Sequence, residues 1–159
     1  MWCIPKVTPE FKRRMFDVLK VYAREYDPTR PVVCMDEKNK QLLEDTRIPI
    51  MGKPGKPARA DYEYKRNGTC NLFVAVEPKG EKRVVRVTRR RTGKDYASFI
   101  KYLVTHVYKK AAKIILVEDN LNTHNRKTLI ESLGEKEGKR ISRRIINRNK
   151  IRSCNSKST

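Results

Sequence analysis

Two segments of the chain repeat apolar residues at the three- and four-residue spacing of a helix with one buried face. The first starts at Thr8, a favourable N-cap that is followed by a proline suited to the first helical position, and continues to Tyr26. The second starts at Thr92, has Asp95 as an acidic form of the capping box, and keeps its apolar stripe to Val107. We therefore predict two amphipathic helices that pack on a common core.

Short runs of β-branched and other apolar residues predict buried strands at Val32–Asp36 and Ile114–Asp119. Residues Arg83–Thr88 alternate between charged and apolar side chains, which is typical of a half-buried strand. A crossover helix normally returns the chain parallel to a strand of the same sheet. Because the second predicted helix precedes Ile114, we expect the two buried strands to lie side by side and parallel.

The dipeptide of Asn67 and Gly68 predicts the tight turn of a β-hairpin, because both central residues of a type I′ turn need positive φ. We therefore expect two antiparallel strands at residues 61–66 and 69–76. Residues 48–60 combine prolines, glycines and basic side chains, and they predict an irregular basic loop. The fold class is α/β, with a mixed sheet of antiparallel hairpin strands and one parallel strand between flanking helices.

Each buried strand ends in an aspartate, Asp36 in one case and Asp119 in the other. A carboxylate at the end of a buried strand is costly unless something binds it, and Mg²⁺ prefers such oxygen ligands while keeping positions open for phosphate. The alternative is that each aspartate begins a turn. Glu37 and Glu118 are rival ligands, but neighbouring side chains on a strand face opposite ways, so only one of each pair can face a common site.

The charge balance points to a polyanionic partner. The 159 residues contain 38 Lys and Arg against 18 Asp and Glu, a net charge of +20, and 35% of the residues are charged against about 25% in an average domain. Such a chain attracts nucleic acid and releases counterions on binding, so DNA or RNA is the expected partner. The alternative is a basic surface that only confers solubility.

The spacing of the cysteines and the first residues of the chain indicate in which cellular compartment the protein is expected. The four cysteines contain no close pair, which argues against a zinc knuckle or a disulfide framework and favours free thiols in a reducing cytosol. The chain starts without a basic leader and apolar stretch, and it has no segment of 18 apolar residues. We therefore expect a cytoplasmic protein without a membrane partner.

The last segment of the chain differs in kind from the rest. After Glu137 the sequence contains no Asp or Glu, and Asn147–Thr159 is polar and has no aromatic residue. We predict a helix that continues to about Ile146 and then a disordered basic tail. The expected organisation is one domain at residues 1–146 and a tail at residues 147–159.

Several motifs occur together and in order along the chain, and they extend from about Trp2 to about Arg143. In this combination the chain resembles bacterial insertion-sequence transposases of the six-thirty family, which are relatives of the mariner transposases. The segments that carry the resemblance are Val33-Cys34-Met35-Asp36-Glu37, Lys53-Pro54-Gly55, Asp61-Tyr62-Glu63-Tyr64, Arg66-Asn67-Gly68-Thr69 and Val117-Glu118-Asp119-Asn120-Leu121-Asn122-Thr123-His124.

The resemblance implies a ribonuclease-H-like fold and metal-dependent cleavage and transfer of DNA strands. It assigns Asp36 and Asp119 as the first two acids of a DDE or DDD triad, which holds two Mg²⁺ ions, or Mn²⁺ in their place. Asn120 and His124 match the loop after the second acid and are assigned a supporting role. The candidate DNA-binding residues are two basic clusters, made of Lys53, Lys56 and Arg59 and of Arg89, Arg90 and Arg91.

The chain also departs from the family pattern. In the family the third acid follows a fifth strand, in a segment of Ser-Trp-Leu-Asn type, and neither that segment nor a carboxylate after Glu137 is present. Glu131, Glu135 and Glu137 come too early, so we expect the fifth strand to be absent. The family's helix-turn-helix modules have no counterpart before Trp2. These departures suggest a shortened transposase, with a change of reading frame near Ile146, that is inactive alone.

Two alternatives to an inactive catalytic core stay open on the sequence alone. One is a ribonuclease-H-like nuclease that is completed by a carboxylate from a partner subunit. The other is a noncatalytic DNA-binding protein that regulates full-length transposase through mixed assembly, and a homo-oligomer is equally compatible with the sequence.

Overall fold

The computed structural model of the chain describes residues 7–119 and 125–149. Within these residues a five-stranded sheet has strand order β3-β2-β1-β4-β5. Strand β2 is antiparallel to β1 and to β3, whereas β4 is parallel to β1 and to β5. None of the described helices is both long and apolar enough to cross a membrane. The elements are α1 (Pro9–Ala23), β1 (Val32–Asp45), β2 (Tyr64–Val76), β3 (Arg83–Thr88), α2 (Gly93–Tyr102), a π-helical turn (Leu103–Val107), β4 (Ile114–Glu118), α3 (Arg126–Leu133), α4 (Glu135–Arg143) and β5 (Ile145–Asn149).

Both predicted helix starts are confirmed. The Thr8 hydroxyl accepts the N–H of Phe11 at 3.1 Å, and α1 ends at Ala23, three residues before the predicted end. At α2 the capping box is complete, since Thr92 Oγ1 accepts the N–H of Asp95 at 3.3 Å and the Asp95 carboxylate accepts the N–H of Thr92 at 2.9 Å. These caps satisfy backbone N–H groups that have no partner inside a helix.

The sheet buries its two faces differently. One face packs against α2, α3 and α4 and forms the main core, which includes Met35, Phe73 and Leu116. The other face forms a smaller cluster with α1, in which Val21 meets residues of β1 and β4, including Val117. Successive side chains of β1 and β4 therefore point alternately into the main core and toward α1. This alternation determines on which face of the sheet each acidic residue near the ends of the buried segments lies.

The predicted hairpin turn at Asn67 and Gly68 is wrong. Strand β2 runs through both residues, and its register against β1 shifts between the pairs that β1 makes at Gln41 and at Leu43. Gly68 has φ +86°, which suits a β-bulge as well as a type I′ turn. The bulge forms because β1 extends to Asp45 and supplies a partner along the whole of β2.

Strands β1 and β2 continue beyond the rest of the sheet. Past the pair of Asn39 with Asn71, β1 and β2 have only each other as paired strands among the described residues, and we call residues 40–70 the arm. Nearly all its side chains are exposed. The segment predicted as an irregular loop lies in the arm and contains short antiparallel pairings, of Ile50 with Arg59 and of Lys53 with Lys56.

The end of the described chain also differs from the prediction. Helix α4 ends at Arg143, and β5 pairs in parallel with β4 from Ile145 to Asn149. A fifth strand is therefore present, and three residues of the predicted tail belong to the sheet. The side chains of β5 are largely polar, so its place in the sheet depends on backbone hydrogen bonds to the edge of β4 that would otherwise be open. The rest of the predicted tail, residues 150–159, lies outside the described residues.

Arg144 connects the junction between α4 and β5 to the π-helical turn and to the segment that follows it. Its guanidinium donates hydrogen bonds to the backbone carbonyls of Val104 at 3.2 Å, Tyr108 at 2.8 Å and Lys109 at 3.2 Å. It also donates to the carbonyl of Ala111. One side chain thereby donates to several carbonyls at a helix end, and of these the Tyr108 carbonyl also accepts the N–H of Ala111 at 3.1 Å.

Candidate metal centre and nucleic-acid surface

The two candidate catalytic aspartates belong to neighbouring parts of the sheet: Asp36 lies within β1, and Asp119 directly follows β4, the strand beside it. The parallel pairing of β1 with β4 places Cys34 opposite Val117. Asp36 and Asp119 each follow two residues later, so the structure brings their strand positions together as the sequence predicted. Asp36 is exposed and Asp119 is half-buried.

The facing of the strand residues places both aspartates on the α1 side of the sheet. Cys34 and Val117 belong to the small cluster under α1. Residues two positions apart on a strand share a face, so Asp36 and Asp119 follow this cluster at its open end. The Asp36 carboxylate accepts the N–H of Glu37 at 3.0 Å, which steadies it beside its own backbone.

The rival acids Glu37 and Glu118 lie on the opposite face, where both are sequestered. Glu118 is 0% exposed, and the Tyr96 hydroxyl lies 3.2 and 3.1 Å from its two carboxylate oxygens. The side chain of Glu37 is 3% exposed and forms an ion pair with Arg91 at 3.3 Å. Burial, the charge of Glu118 and its hydrogen bond, and then the charge of Glu37 raise the pKa of Tyr96 above its ordinary value.

Sequence reasoning underestimated this second acidic pair. Glu118 follows a run of core residues, and its alternation with Leu116 indicates an inward side chain, whereas the sequence presents it only as a rival ligand. Tyr96 lies in the apolar stripe of the second predicted helix and carries no signal of its own. The signal that could have identified the pair is the place of Glu118 in the same inward row as Leu116.

The donor set of the aspartate pair suits a hard divalent cation. Two carboxylates from adjacent strands provide oxygen ligands and leave the other positions of a Mg²⁺-like ion to water and phosphate oxygens. In the part of the chain that the structure describes, no group of three His, Cys, Asp or Glu side chains forms a complete metal site. The candidate supporting residues Asn120 and His124 lie outside the described residues.

The six candidate DNA-binding residues fall on two separate surfaces. Lys53, Lys56 and Arg59 lie on the arm, and all three are exposed. The other cluster lies between β3 and α2, on the side of the sheet that packs against α2 and α3. There Arg89 and Arg90 line an open recess of about 890 Å³, together with residues of α2 and α3.

Arg91 differs from its two neighbours because its guanidinium pairs with Glu37. The recess also includes Lys94, a basic residue that the sequence analysis did not select. The basic residues of this recess are therefore Arg89, Arg90 and Lys94, and Arg91 lies beside them and pairs with Glu37 of the buried acidic pair.

Two solved structures with a similar fold come from the same transposase. The Mos1 transposase paired-end complex with left transposon end matches with a TM-score of 0.54 and 17% identity, over 94% of this chain and 45% of that chain. The Mos1 strand transfer complex matches with a TM-score of 0.54 and 16% identity, over 96% and 47%. This chain thus spans less than half the length of those proteins. No curated protein sequence matches it.

The structural likeness confirms the predicted fold class, a ribonuclease-H-like mixed sheet with flanking helices. The model of the family described as DDE superfamily endonuclease matches residues 31–145. The match covers more than half of the chain and includes both candidate acids. The chain therefore belongs to the DDE superfamily of endonucleases.

Proposed function

We propose that this chain is the core of a DDE transposase catalytic domain, in which Asp36 and Asp119 hold a divalent cation for the cleavage and transfer of DNA strands. The observation that carries the proposal is that each acid follows by two residues the last pair of the parallel strands β1 and β4, Cys34 with Val117, inside the region that the family model covers. Mg²⁺ is the proposed physiological ion and Mn²⁺ its substitute, with two ions in the intact family.

The proposed roles of the chain's own residues follow from their surroundings. Asp36 and Asp119 would bind the cation through their carboxylate oxygens, at a sheet end where a phosphate group can approach. When bound, a divalent cation neutralises phosphate charge and favours a hydroxide or alkoxide nucleophile. Arg89 and Arg90 would hold the DNA backbone in the recess between β3 and α2 through charge-assisted hydrogen bonds.

We also propose that the 159-residue chain binds metal and DNA but does not cut DNA by itself. Its sequence has no carboxylate after Glu137. The glutamates of α3 and α4 are held in surface ion pairs: Glu131 with Lys127 at 3.7 Å, Glu135 with Lys139, and Glu137 with Arg140 at 2.7 Å. A catalytic triad that lacks one member loses activity by orders of magnitude.

A plasmid assay tests the proposed function. Supercoiled DNA incubated with the purified chain and Mn²⁺ is expected to show no nicking above that of the Asp36→Asn variant. Mobility shifts on the same DNA are expected to show binding that weakens steeply with salt. Nicking that both Asp36→Asn and Asp119→Asn abolish would overturn the proposed inactivity, and absence of salt-sensitive binding would contradict the DNA-binding role.

The two basic surfaces can be compared by matched variants. Replacing both Arg89 and Arg90 with glutamine is expected to lower the slope of log affinity against log salt by about 2, roughly one for each lost phosphate contact. Replacing Lys109 and Lys110 removes the same charge near the opposite end of β4, where both residues are exposed. That control is expected to change the slope by less than about 1.

Salt titrations of DNA binding by the wild type and the two double variants measure this difference. Equal slopes for the two double variants would show that net charge, rather than the recess lined by Arg89 and Arg90, determines binding. A triple variant of Lys53, Lys56 and Arg59 in the same titration shows whether the arm also contacts the phosphate backbone.

A further inference from the structure

A buried glutamate lies away from the aspartate pair, in the turn between β2 and β3. Glu77 is 2% exposed and directly follows Val76, the residue of β2 that pairs with Cys34 near the start of β1. Neither of its carboxylate oxygens receives a hydrogen bond of normal geometry from the described residues. Burying a carboxyl group in this way is costly, so Glu77 calls for a physical explanation.

The turn provides space for this side chain. The N–H of Gly80 donates to the Glu77 carbonyl at 3.1 Å, and the N–H of Glu77 donates to the carbonyl of Lys82 at 3.0 Å. A Cβ at position 80 would lie 2.7 Å from Oε1 of Glu77, which is closer than two such atoms can approach. The glycine at position 80 therefore leaves the room that the carboxylate occupies.

Two tyrosines lie beside the carboxylate. The charge of Glu77 is the main cause that raises the pKa of Tyr26, and burial followed by the same charge raises the pKa of Tyr108. The lysines of the turn interact elsewhere: Lys79 donates to the backbone carbonyl that follows α1, and Lys82 Nζ lies 4.8 Å from the centre of the Tyr108 ring. The surroundings of Glu77 thus combine aromatic rings with a carboxylate that the neighbouring ammonium groups do not use.

Glu77 also lines two spaces at this end of the sheet. One is a cavity of about 240 Å³ beside the end of α1, and the other is an open recess of about 430 Å³ at the turn. Apolar side chains line much of the cavity, among them those of Val21, Val32 and Pro78. The cavity is several times larger than the roughly 30 Å³ that one water molecule occupies in the liquid, so it has room for a small organic molecule.

We propose that this cavity binds a small alkylammonium ion, whose nitrogen pairs with Glu77 and whose hydrocarbon chain lies against the apolar lining. An ammonium group supplies the N–H donors and the charge that a buried carboxylate lacks. Aromatic faces attract cations, and an apolar wall accommodates the alkyl chain. The ion enters past Tyr26, which is 50% exposed. The inference does not depend on the proposed function, because it involves neither the aspartate pair nor a metal ion.

The test measures the affinity of the purified chain for butylammonium chloride. Ligand-observed NMR titrations at an ionic strength fixed with NaCl give the dissociation constant. Butan-1-ol has the same chain length without the charge, and we expect it to bind at least about tenfold more weakly, because it lacks the charge-assisted hydrogen bond.

Two variants change the carboxylate in different ways. Glu77→Gln removes the charge at constant shape and is expected to weaken butylammonium binding by about tenfold. Gly80→Ala retains Glu77 but fills the space that its carboxylate occupies, so it is expected to weaken binding to a similar extent. The matched control is Glu81→Gln, which removes an exposed carboxylate from the same recess and is expected to change the affinity by less than about threefold.

Circular dichroism shows whether each variant is folded, and Gly80→Ala carries the test if Glu77→Gln does not fold. Equal affinities for butylammonium and butan-1-ol would overturn the inference, because the apolar lining alone would then account for binding. An unchanged affinity in Glu77→Gln, an equal loss in Glu81→Gln, or the absence of saturable binding to the wild type would also overturn it. Asp36→Asn is expected to bind butylammonium like the wild type, so a failure of the proposed metal site would leave this inference standing.

Discussion

Replacing Asp36 or Asp119 with asparagine is expected to weaken Mn²⁺ binding by at least about a hundredfold, since each change removes one of two charged oxygen ligands from a hard cation. Asparagine keeps the size of the side chain, and Asp36 is exposed, so the fold should remain intact. DNA binding in the absence of metal is expected to be unchanged or slightly stronger, because a negative charge near the phosphate path is lost.

Titration of the Mn²⁺ resonance signal measures the first effect, and mobility shifts in EDTA measure the second. Asp17→Asn is the matched control, because Asp17 is exposed on α1 and its replacement makes the same change in charge. Variants at positions 36 and 119 that bind Mn²⁺ as tightly as this control would show that the aspartates are not the metal site. A noncatalytic DNA-binding protein would show that pattern.

Replacing Arg144 with methionine is expected to lower the free energy of unfolding by about 3 kcal/mol, because the guanidinium donates hydrogen bonds to several backbone carbonyls that methionine cannot serve. Methionine keeps much of the aliphatic length of the side chain, so the lost hydrogen bonds dominate the effect. For a domain of this size the melting temperature should fall by about 6–12 °C.

Thermal melts followed by circular dichroism measure this loss. Arg143→Met is the matched control, because the neighbouring Arg143 is exposed at the end of α4. Arg144→Lys should lie between the two, since lysine keeps the charge but cannot reach several carbonyls with one planar group. Equal melting temperatures for Arg143→Met and Arg144→Met would contradict the proposed role of Arg144 in joining α4 and β5 to the π-helical turn.

The parallel pairing of β1 with β4, which brings Asp36 and Asp119 to the same part of the sheet, could be predicted from the sequence because two local signals agreed. Each acid ends an apolar run of strand length, and a helix with a clear capping box lies before the second run. A crossover helix then restricts the second strand to a parallel position in the same sheet. The prediction of this geometry needed only residues within or next to the two strands and the helix before the second strand.

The Asn67 and Gly68 segment shows where local signals fail. A glycine with positive φ serves a tight turn or a bulge, and the choice depends on whether a partner strand continues past it. Here β1 continues to Asp45, although its last residues are polar. Pairing partners that lie more than 20 residues away cannot be read from a short window, so the turn was the natural but wrong expectation.

Strand β5 was missed for a related reason. Asn147 and Arg148 lie opposite Leu116 and Val117, so the stability of the strand comes from a neighbour that is already buried. Strand preference is a property of the environment as much as of the residue. Composition alone predicted a disordered tail at this position.

The arm gives β1 two ends of different mobility. Near Val33 the strand is paired on both sides and buried, whereas near Asp45 it belongs to a two-stranded ribbon in water. Such a ribbon is marginally stable by itself, so its amide hydrogens should exchange with solvent through local opening long before those of the sheet. Asp36 lies between the last pair of β1 with β4, at Cys34, and the start of the arm at residue 40. One proposed ligand therefore lies on the part of β1 that leads from the slowly exchanging sheet to the rapidly opening arm.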